Sequence, residues 1–384
     1  MHRLALITTL FSLSLPSVRA QWDLETSNTT ADLRGIHSIG NGVAWASGTN
    51  GTVLRTEDSG YVWQTCAVPP GAEKLDFRGI QGFDANTAIV MSSGKGDLSR
   101  LYKTMDGCHS WNLIFTNPNS PEGFFDSIYF PREHRSTTDH EGFGLLLGDP
   151  VGGELAVFET RNGGYSWNRI SDDALKISEG EFSAFAASNS CISGFGGATF
   201  DIAIGGKAGS LLLRLSYEGY YWLNDSSPLK RMWQREAVPM AKGGESAGAF
   251  AVAERIQFPS NNPAPGFEDL RLVEEIVGGD YLKPDDSAGT AAYHDRHAWH
   301  AAQTPPHGYR SSLRYDAASK SWITVGPNGT DFSTDDGKNW RPLRPNPARH
   351  EAPDADRNWN AISLPFVVGP KGRVGKLNPT ALKK

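Results

Sequence analysis

One octapeptide, written four times, constrains this chain more than any other feature. The copies are Thr56-Glu57-Asp58-Ser59-Gly60-Tyr61-Val62-Trp63, Thr104-Met105-Asp106-Gly107-Cys108-His109-Ser110-Trp111, Thr160-Arg161-Asn162-Gly163-Gly164-Tyr165-Ser166-Trp167 and Ser333-Thr334-Asp335-Asp336-Gly337-Lys338-Asn339-Trp340. The shared skeleton is Ser/Thr-x-Asp-x-Gly-x-x-Trp. Degenerate remnants lie at Ser216–Trp222 and near Trp299. An Asp or Asn oxygen accepts hydrogen bonds from turn amides. The Gly takes a positive φ that other residues resist. The Trp folds against the neighbouring unit. These are the requirements of a hairpin, not of catalysis.

A second repeat counts the units. Glycine-containing hairpins begin at Gly48, Gly94, Gly148, Gly205, Gly278, Gly326 and Gly369. Seven units of roughly 40–50 residues, each with room for four strands, predict an all-β, seven-bladed β-propeller with four-stranded antiparallel blades. The 42 Gly, 23 Pro and 11 Trp suit many short strands joined by tight turns. The seventh unit stops at Gly372–Leu377, before a fourth strand. Residues Gln21–Thr26 form a spare strand ahead of the first unit, and they are expected to complete the last blade and close the ring. Closure removes exposed sheet edges. Arg132–Glu141 and Leu223–Arg231 read as insertions in units three and four. The expected organisation is a signal peptide at 1–20 and a single propeller domain at 21–384.

The signal-peptide reading rests on His2 and Arg3, an uncharged apolar run from Leu4 to Leu15, and small residues up to Ala20. It predicts a secreted or periplasmic protein. No apolar run reaches the length of a transmembrane helix. The formal charge of −6, with no basic block, argues against nucleic-acid binding. Three cysteines remain. Cys108 stands where the octapeptide expects Gly, and Cys66 follows Trp63 by three residues, so Cys66–Cys108 is the favoured disulfide in an oxidising compartment. Cys191 is then a buried apolar residue. No cysteine cluster has metal-ligand spacing, the trio His294, His297 and His300 matches no metal motif, and there is no Gly-x-Gly-x-x-Gly, so no metal or cofactor is expected.

The octapeptide resembles the Asp-box, or BNR repeat, of sialidase-like β-propellers. That resemblance implies turns between the third and fourth strands of each blade, on the face away from the central site. The mature chain as a whole resembles secreted bacterial propellers related to the photosystem II stability and assembly factor family, some labelled "oxidoreductase-like". The segments that carry this are Leu146–Pro150, Phe185–Asn189, Gly278–Tyr281 and Gly308–Ser311. The Arg-Ile-Pro motif of true sialidases is absent, so classical sialidase activity is not implied.

With those turns on one face, the inner-strand entries share the other face with the glycine hairpins. They align as Leu33-Arg34-Gly35-Ile36, Phe77-Arg78-Gly79-Ile80, Phe125-Asp126-Ser127-Ile128, Phe182-Ser183-Ala184-Phe185, Tyr309-Arg310-Ser311-Ser312 and Trp359-Asn360-Ala361-Ile362. A slip of one residue would reverse what faces the channel. In this register Arg34, Arg78 and Arg310 ring the mouth, with Asp126 and Tyr309 as further ligand-binding candidates. Asp149, Glu181, Asp280 and Tyr281 are the candidates for catalysis. Guanidinium groups suit carboxylate or phosphate ligands, and paired carboxyls suit acid/base chemistry on a sugar. Equally, Arg and Asp on adjacent inner strands would pair with each other and fill a narrow channel. Two functions follow as expectations. One is a monomeric propeller that binds a protein or anionic segment during envelope assembly. The other is a glycoside hydrolase or lyase acting on an acidic sugar.

Overall fold

A computed structural model describes residues 21–131, 142–178, 180–195, 198–218, 230–257, 271–345, 351–378 and 381–382. These form seven four-stranded antiparallel sheets in chain order, the blades of a closed propeller. The inner strands of blades 1 to 7 are Leu33–Gly40, Phe77–Gly82, Phe125–Tyr129, Ile192–Phe195, Ala247–Gln257, Ser312–Asp316 and Ala361–Ser363. Second strands such as Ala88–Ser92 are buried along their whole length. Both faces of such a strand pack against a neighbouring blade, so its sequence is an apolar run rather than an alternation.

The last blade closes as the spare strand requires. Trp22–Glu25 pairs antiparallel with Val374–Leu377, Trp22 opposite Leu377 and Glu25 opposite Val374. It is the outer strand of a sheet whose other three strands come from the C-terminal end of the chain.

The octapeptide turns lie between third and fourth strands, as between Val53–Thr56 and Gln64–Thr65. Their hydrogen bonds repeat. The amide of the fifth residue donates to the hydroxyl of the first at 3.0 Å in Gly60→Thr56, Cys108→Thr104 and Gly164→Thr160, and at 3.1 Å in Gly337→Ser333. The amide of the seventh donates to the Asp or Asn of the third, as in Val62→Asp58 at 2.9 Å. Gly60 sits at φ 90°, where a Cβ would also strike the Glu25 carboxylate. Cys108 holds the equivalent left-handed conformation at φ 66° and is disulfide-bonded to Cys66. Lysines dock two of these turns onto the preceding blade. Lys103 Nζ donates to Gly163 O at 2.9 Å, and Lys376 Nζ donates to Ser59 O at 2.7 Å.

Blade 4 departs from the expected pattern. Its inner strand does not run on from Phe182. Ser183 makes one isolated bridge to Gly205, and the sheet resumes only at Ile192. Apart from Phe185, Asn189 and Cys191, the intervening residues are small: Ala184, Ala186, Ala187, Ser188 and Ser190. They leave the sheet and lie across the channel. Asn189, at φ 58°, accepts a hydrogen bond from the Ile128 amide of blade 3 at 2.7 Å. The Ser188 hydroxyl donates to Ser311 O, and the Ser190 and Ser312 hydroxyls meet at 2.9 Å on blade 6. This plug divides the channel into an upper cup on the hairpin face and a lower cup on the octapeptide face. The insertions expected at Arg132–Glu141 and Leu223–Arg231 lie wholly or largely outside the described residues, as does part of the Ser216–Trp222 remnant.

Candidate functional site

The upper cup has a volume of about 410 Å³. Its side chains reach it through one device repeated around the ring. Inner strands carry β-bulges between Leu33 and Gly35, Phe77 and Gly79, Phe125 and Ser127, and Ala249 and Ala251. A bulge leaves one residue out of the ladder and re-aims its side chain. The four bulged residues are Arg34, Arg78, Asp126 and Phe250, and all four line the cup. Ser311 and Asn360 line it from blades 6 and 7.

The floor is aromatic. Phe185 of the plug stacks on Phe250 with ring centroids 3.8 Å apart, and Tyr309 meets Phe250 edge-on at 4.8 Å. Tyr281, half exposed at 49%, covers the same rings at 6.1 and 6.5 Å. Polar groups converge above them. Arg78 Nε donates to Asp76 at 2.7 Å. The Nε of Arg34 is buried and has no hydrogen-bond partner. Asp126 and Asp149 each keep one buried carboxyl oxygen without a partner. Burial, and then the nearby Asp149, hold Asp126 well above the ordinary carboxylate range, against the opposing pull of Arg78 and the Ala186 amide. Burial likewise lifts Asp149 to about 6, against the Ala184 amide. Two carboxyls that share a dry site cannot both ionise freely. With the dyad holding one proton near neutrality, it carries a single negative charge against the two guanidinium groups of Arg34 and Arg78.

The pair makes a stability prediction. Both folded-state values lie above the unfolded ones, so the folded protein binds more protons between about pH 4 and 6. Its contribution to stability is fully present below about pH 4 and is lost as pH rises through about 6. Moving Asp149 from 3.8 to about 6 corresponds to about 3 kcal/mol. The Asp149→Asn variant should therefore gain about 2 kcal/mol relative to wild type between about pH 4.5 and pH 7.5. Denaturant unfolding at the two pH values measures this, and a difference that stays constant would show that the pair does not hold an excess proton.

Six of the nine residues singled out from sequence line the cup together: Arg34, Arg78, Asp126, Asp149, Tyr281 and Tyr309. The other three do not. Arg310 sits one register place before the bulge position. The carbonyl of the preceding residue lies against the hairpin glycine in blades 1, 3 and 6, as Asp32 on Gly48, Phe124 on Gly148 and Tyr309 on Gly326. Arg310 thus occupies the place of Leu33 and Phe125. It is fully buried, and its Nε donates to Asp331 at 2.8 Å. Asp280 caps its own turn, accepting from the Leu282 amide at 3.0 Å and facing Lys283 at 3.3 Å. Burial works to raise it, but the Ser246 hydroxyl, that amide and Lys283 outweigh burial and leave it below its ordinary value. Glu181 lies in the turn before blade 4, its carbonyl accepting from Ala208 at 3.3 Å. The plug aromatic Phe185 and its partner Phe250 were not among the candidates, although the apolar run at Phe185–Ala187 was visible in the sequence. Among the described residues no group of three His, Cys, Asp or Glu could hold a metal ion. No helix among them is long and apolar enough to cross a membrane.

No protein-family model matches the chain, and no curated protein matches it. Solved structures do. The chain is similar to YCF48 bound to D1 peptide, with TM-score 0.54 and 15% identity over 93% of this chain and 96% of that one. It is also similar to YCF48 from Cyanidioschyzon merolae, with TM-score 0.54 and 18% identity over 94% and 99%. At these identities the likeness establishes the propeller fold.

Proposed function

We propose that the chain is a binding propeller that captures an acidic protein segment in its upper cup, as an assembly factor outside the cytoplasm. The observation that carries this reading is the buried, unpartnered Nε of Arg34 beside Arg78, over a floor of Phe185, Phe250 and Tyr309. A carboxylate would satisfy the guanidinium groups, and the apolar part of the same side chain would rest on the rings. A cup of about 410 Å³ takes one or two side chains of a partner, so the partner presents an extended segment rather than a surface. YCF48, a propeller of the same architecture, has been solved with a D1 peptide bound. The leader-like residues 1–20 and the Cys66–Cys108 disulfide support a place outside the cytoplasm.

The Asp126–Asp149 pair supports a second reading, a glycoside hydrolase or lyase on an acidic sugar, because a carboxyl held near 6 by burial suits general acid catalysis. One experiment separates the two. A fluorescent glutamate-rich peptide and a uronic-acid oligosaccharide are titrated into wild type, Arg34→Ala, Arg78→Ala and Asp149→Asn. Peptide binding that falls about tenfold or more in each arginine variant, and weakens with salt, is expected. Peptide affinity indifferent to both arginines overturns the binding reading. Turnover of the sugar that disappears in Asp149→Asn would install the enzyme in its place.

A further inference from the structure

The upper cup offers its ligand more than a pair of cations. Arg34 and Arg78 enter it from blades 1 and 2, whereas Asp126 and Asp149 both enter it from blade 3. Each of these carboxyls is held from one side by the plug, Asp126 by the Ala186 amide and Asp149 by the Ala184 amide. On the other side each is idle. Asp126, only 1% exposed, keeps Oδ2 buried without a partner, and Asp149 keeps Oδ1 in the same condition. Ser311 and Asn360 also line the cup, but they are tied to nearby backbone. The Ser311 hydroxyl donates to Asn360 O at 2.7 Å, and the Asn360 side-chain amide donates to Leu33 O at 2.8 Å.

Buried polar atoms without partners are rare, and two of them on one blade call for a ligand group that supplies what they lack. A carboxyl oxygen has two lone pairs, so a proton shared within the pair still leaves acceptor capacity toward the cup. The carboxylate that suits Arg34 has no hydrogen to give. The missing group is therefore a donor. A lysine or arginine of the partner would bring a cation into a site that already covers its charge with a proton and stands under the influence of Arg78. Taking that cation out of water is costly. A hydroxyl gives one hydrogen. A primary carboxamide gives two, carries no charge, and has a carbonyl that accepts the proton of the dyad.

We propose that blade 3 forms a carboxamide subsite of the upper cup, so that the captured segment presents a glutamine or asparagine beside its acidic residue, the carboxylate on Arg34 and the side-chain amide on Asp126 Oδ2 and Asp149 Oδ1. This inference rests on the reading of the cup as a peptide site and narrows its ligand. The rings of Phe185 and Phe250 take the methylene groups of both side chains. Side chains on one face of an extended segment are two residues apart. The recognised motif is thus an acidic residue and a carboxamide residue with one residue between them, in one order or the other.

The test is fluorescence titration of the full chain with labelled peptides containing Glu-Ala-Gln or Gln-Ala-Glu, blocked at both ends so that neither end carries a charge or a primary amide. In companion peptides methionine replaces the glutamine, matching its length without the hydrogen bonds, or lysine replaces it with a cation. In wild type, the glutamine peptide in one of the two orders should bind about tenfold or more tighter than both of its companions. Asp149→Ala should erase most of that advantage. Arg34→Ala should weaken the glutamine and methionine peptides in parallel and leave their ratio standing. The outcomes separate the two claims. Binding that depends on Arg34 but shows no preference for glutamine overturns the subsite and leaves the reading of the cup intact. A preference for lysine overturns it in favour of a cation subsite, and a glutamine preference that survives in Asp149→Ala overturns it by placing the amide elsewhere. Binding indifferent to Arg34, or no binding at all, overturns both. The glutamine-to-methionine ratio needs wild type only, so it decides the matter even if Asp149→Ala fails to fold.

Discussion

Replacing Arg310 with alanine is expected to cost about 3–5 kcal/mol of folding stability while leaving the affinity of the folded protein for its upper-cup ligand unchanged. The guanidinium is fully buried. It donates to Asp331, to Tyr309 O at 2.7 Å, and to Asn328, and it meets the His307 ring at 2.9 Å. Asp331 has a side chain only 1% exposed, and burial of that carboxyl is offset by His307 and Arg310, which keep it below its ordinary value. Truncating Arg310 leaves the His307 ring, at 2.9 Å, as the side-chain partner of Asp331 that remains. It also leaves a cavity of arginine size. A buried charge that loses its partner is the expensive case; removing both members together is often nearly neutral. The double variant Arg310→Leu with Asp331→Leu should therefore recover part of the loss, since leucine already fills the corresponding place at Leu33. Denaturant midpoints measure the stability, and peptide titration of the folded fraction measures the affinity. An Arg310→Ala protein that is stable but no longer binds would return Arg310 to the ligand site.

That misplaced arginine marks the boundary of what the residues reveal before folding. The fold was legible because its signals are local. Each octapeptide needs only its own eight residues to make its turn, and each hairpin glycine marks its own corner. The orphan strand at Trp22 was legible by subtraction, since the last unit lacked an edge. Arg34, Arg78 and Asp126 were legible because three blades repeat an aromatic or leucine, a polar residue, a small residue and an isoleucine. Register was the obscure part. A bulge adds one residue without altering composition, so Tyr309-Arg310-Ser311 read like Leu33-Arg34-Gly35 although Ser311 is the true counterpart of Arg34. The missing clue was Asp331, a buried acid two strands away with no reason to be there unless a cation faced it. The plug was obscure for a different reason. A run of Ala and Ser with one Asn packs equally well as a strand or as a segment across a channel, and only hydrogen bonds to blades 3 and 6 decide between them. Asp280 and Glu181 were chosen by proximity in sequence to the hairpins, but a turn can consume its own carboxylate, and Asp280 does so.

The plug also explains why one channel holds two separate cups. An unobstructed channel through a seven-bladed ring would let solvent reach both ends and screen their charges alike. Residues Ala184–Ser190 close it in the middle. Above them, burial concentrates two carboxyls that hold their proton and leaves the arginines to set the sign. The same short segment supplies the amides that contact Asp126 and Asp149 and the Asn189 side chain that caps the lower cup.

Removing the indole of Trp22 should destabilise the whole protein by about 3–5 kcal/mol, although the residue lies on a four-residue strand at one end of the chain. Trp22 is 1% exposed, tilted against Trp359 at 6.1 Å, and its Nε1 donates to the Thr330 hydroxyl of blade 6 at 3.2 Å. It thus packs on blade 6 as well as on its own sheet. The strand continues to Glu25, whose carboxylate accepts from Trp63 Nε1 of blade 1 at 3.2 Å. One short segment therefore touches both neighbours of the blade it completes. Loss of the anchor frees that segment, and Val374–Leu377 becomes an unpaired edge between two blades that now pack less tightly. A propeller shares its core between adjacent sheets, so opening one junction weakens the cooperative unit rather than fraying a tail. Trp22→Ala is expected to lower the denaturant midpoint with little change in slope and to raise aggregation through the exposed edge. Trp22→Phe, which keeps most of the packing but loses the bond to Thr330, should cost about 1–2 kcal/mol. Amide exchange adds the spatial test: in Trp22→Ala, protection should fall in blades 1 and 6 as well as in Val374–Leu377. Loss of protection confined to Val374–Leu377, with the global midpoint unmoved, would mean that the ring holds without its clasp.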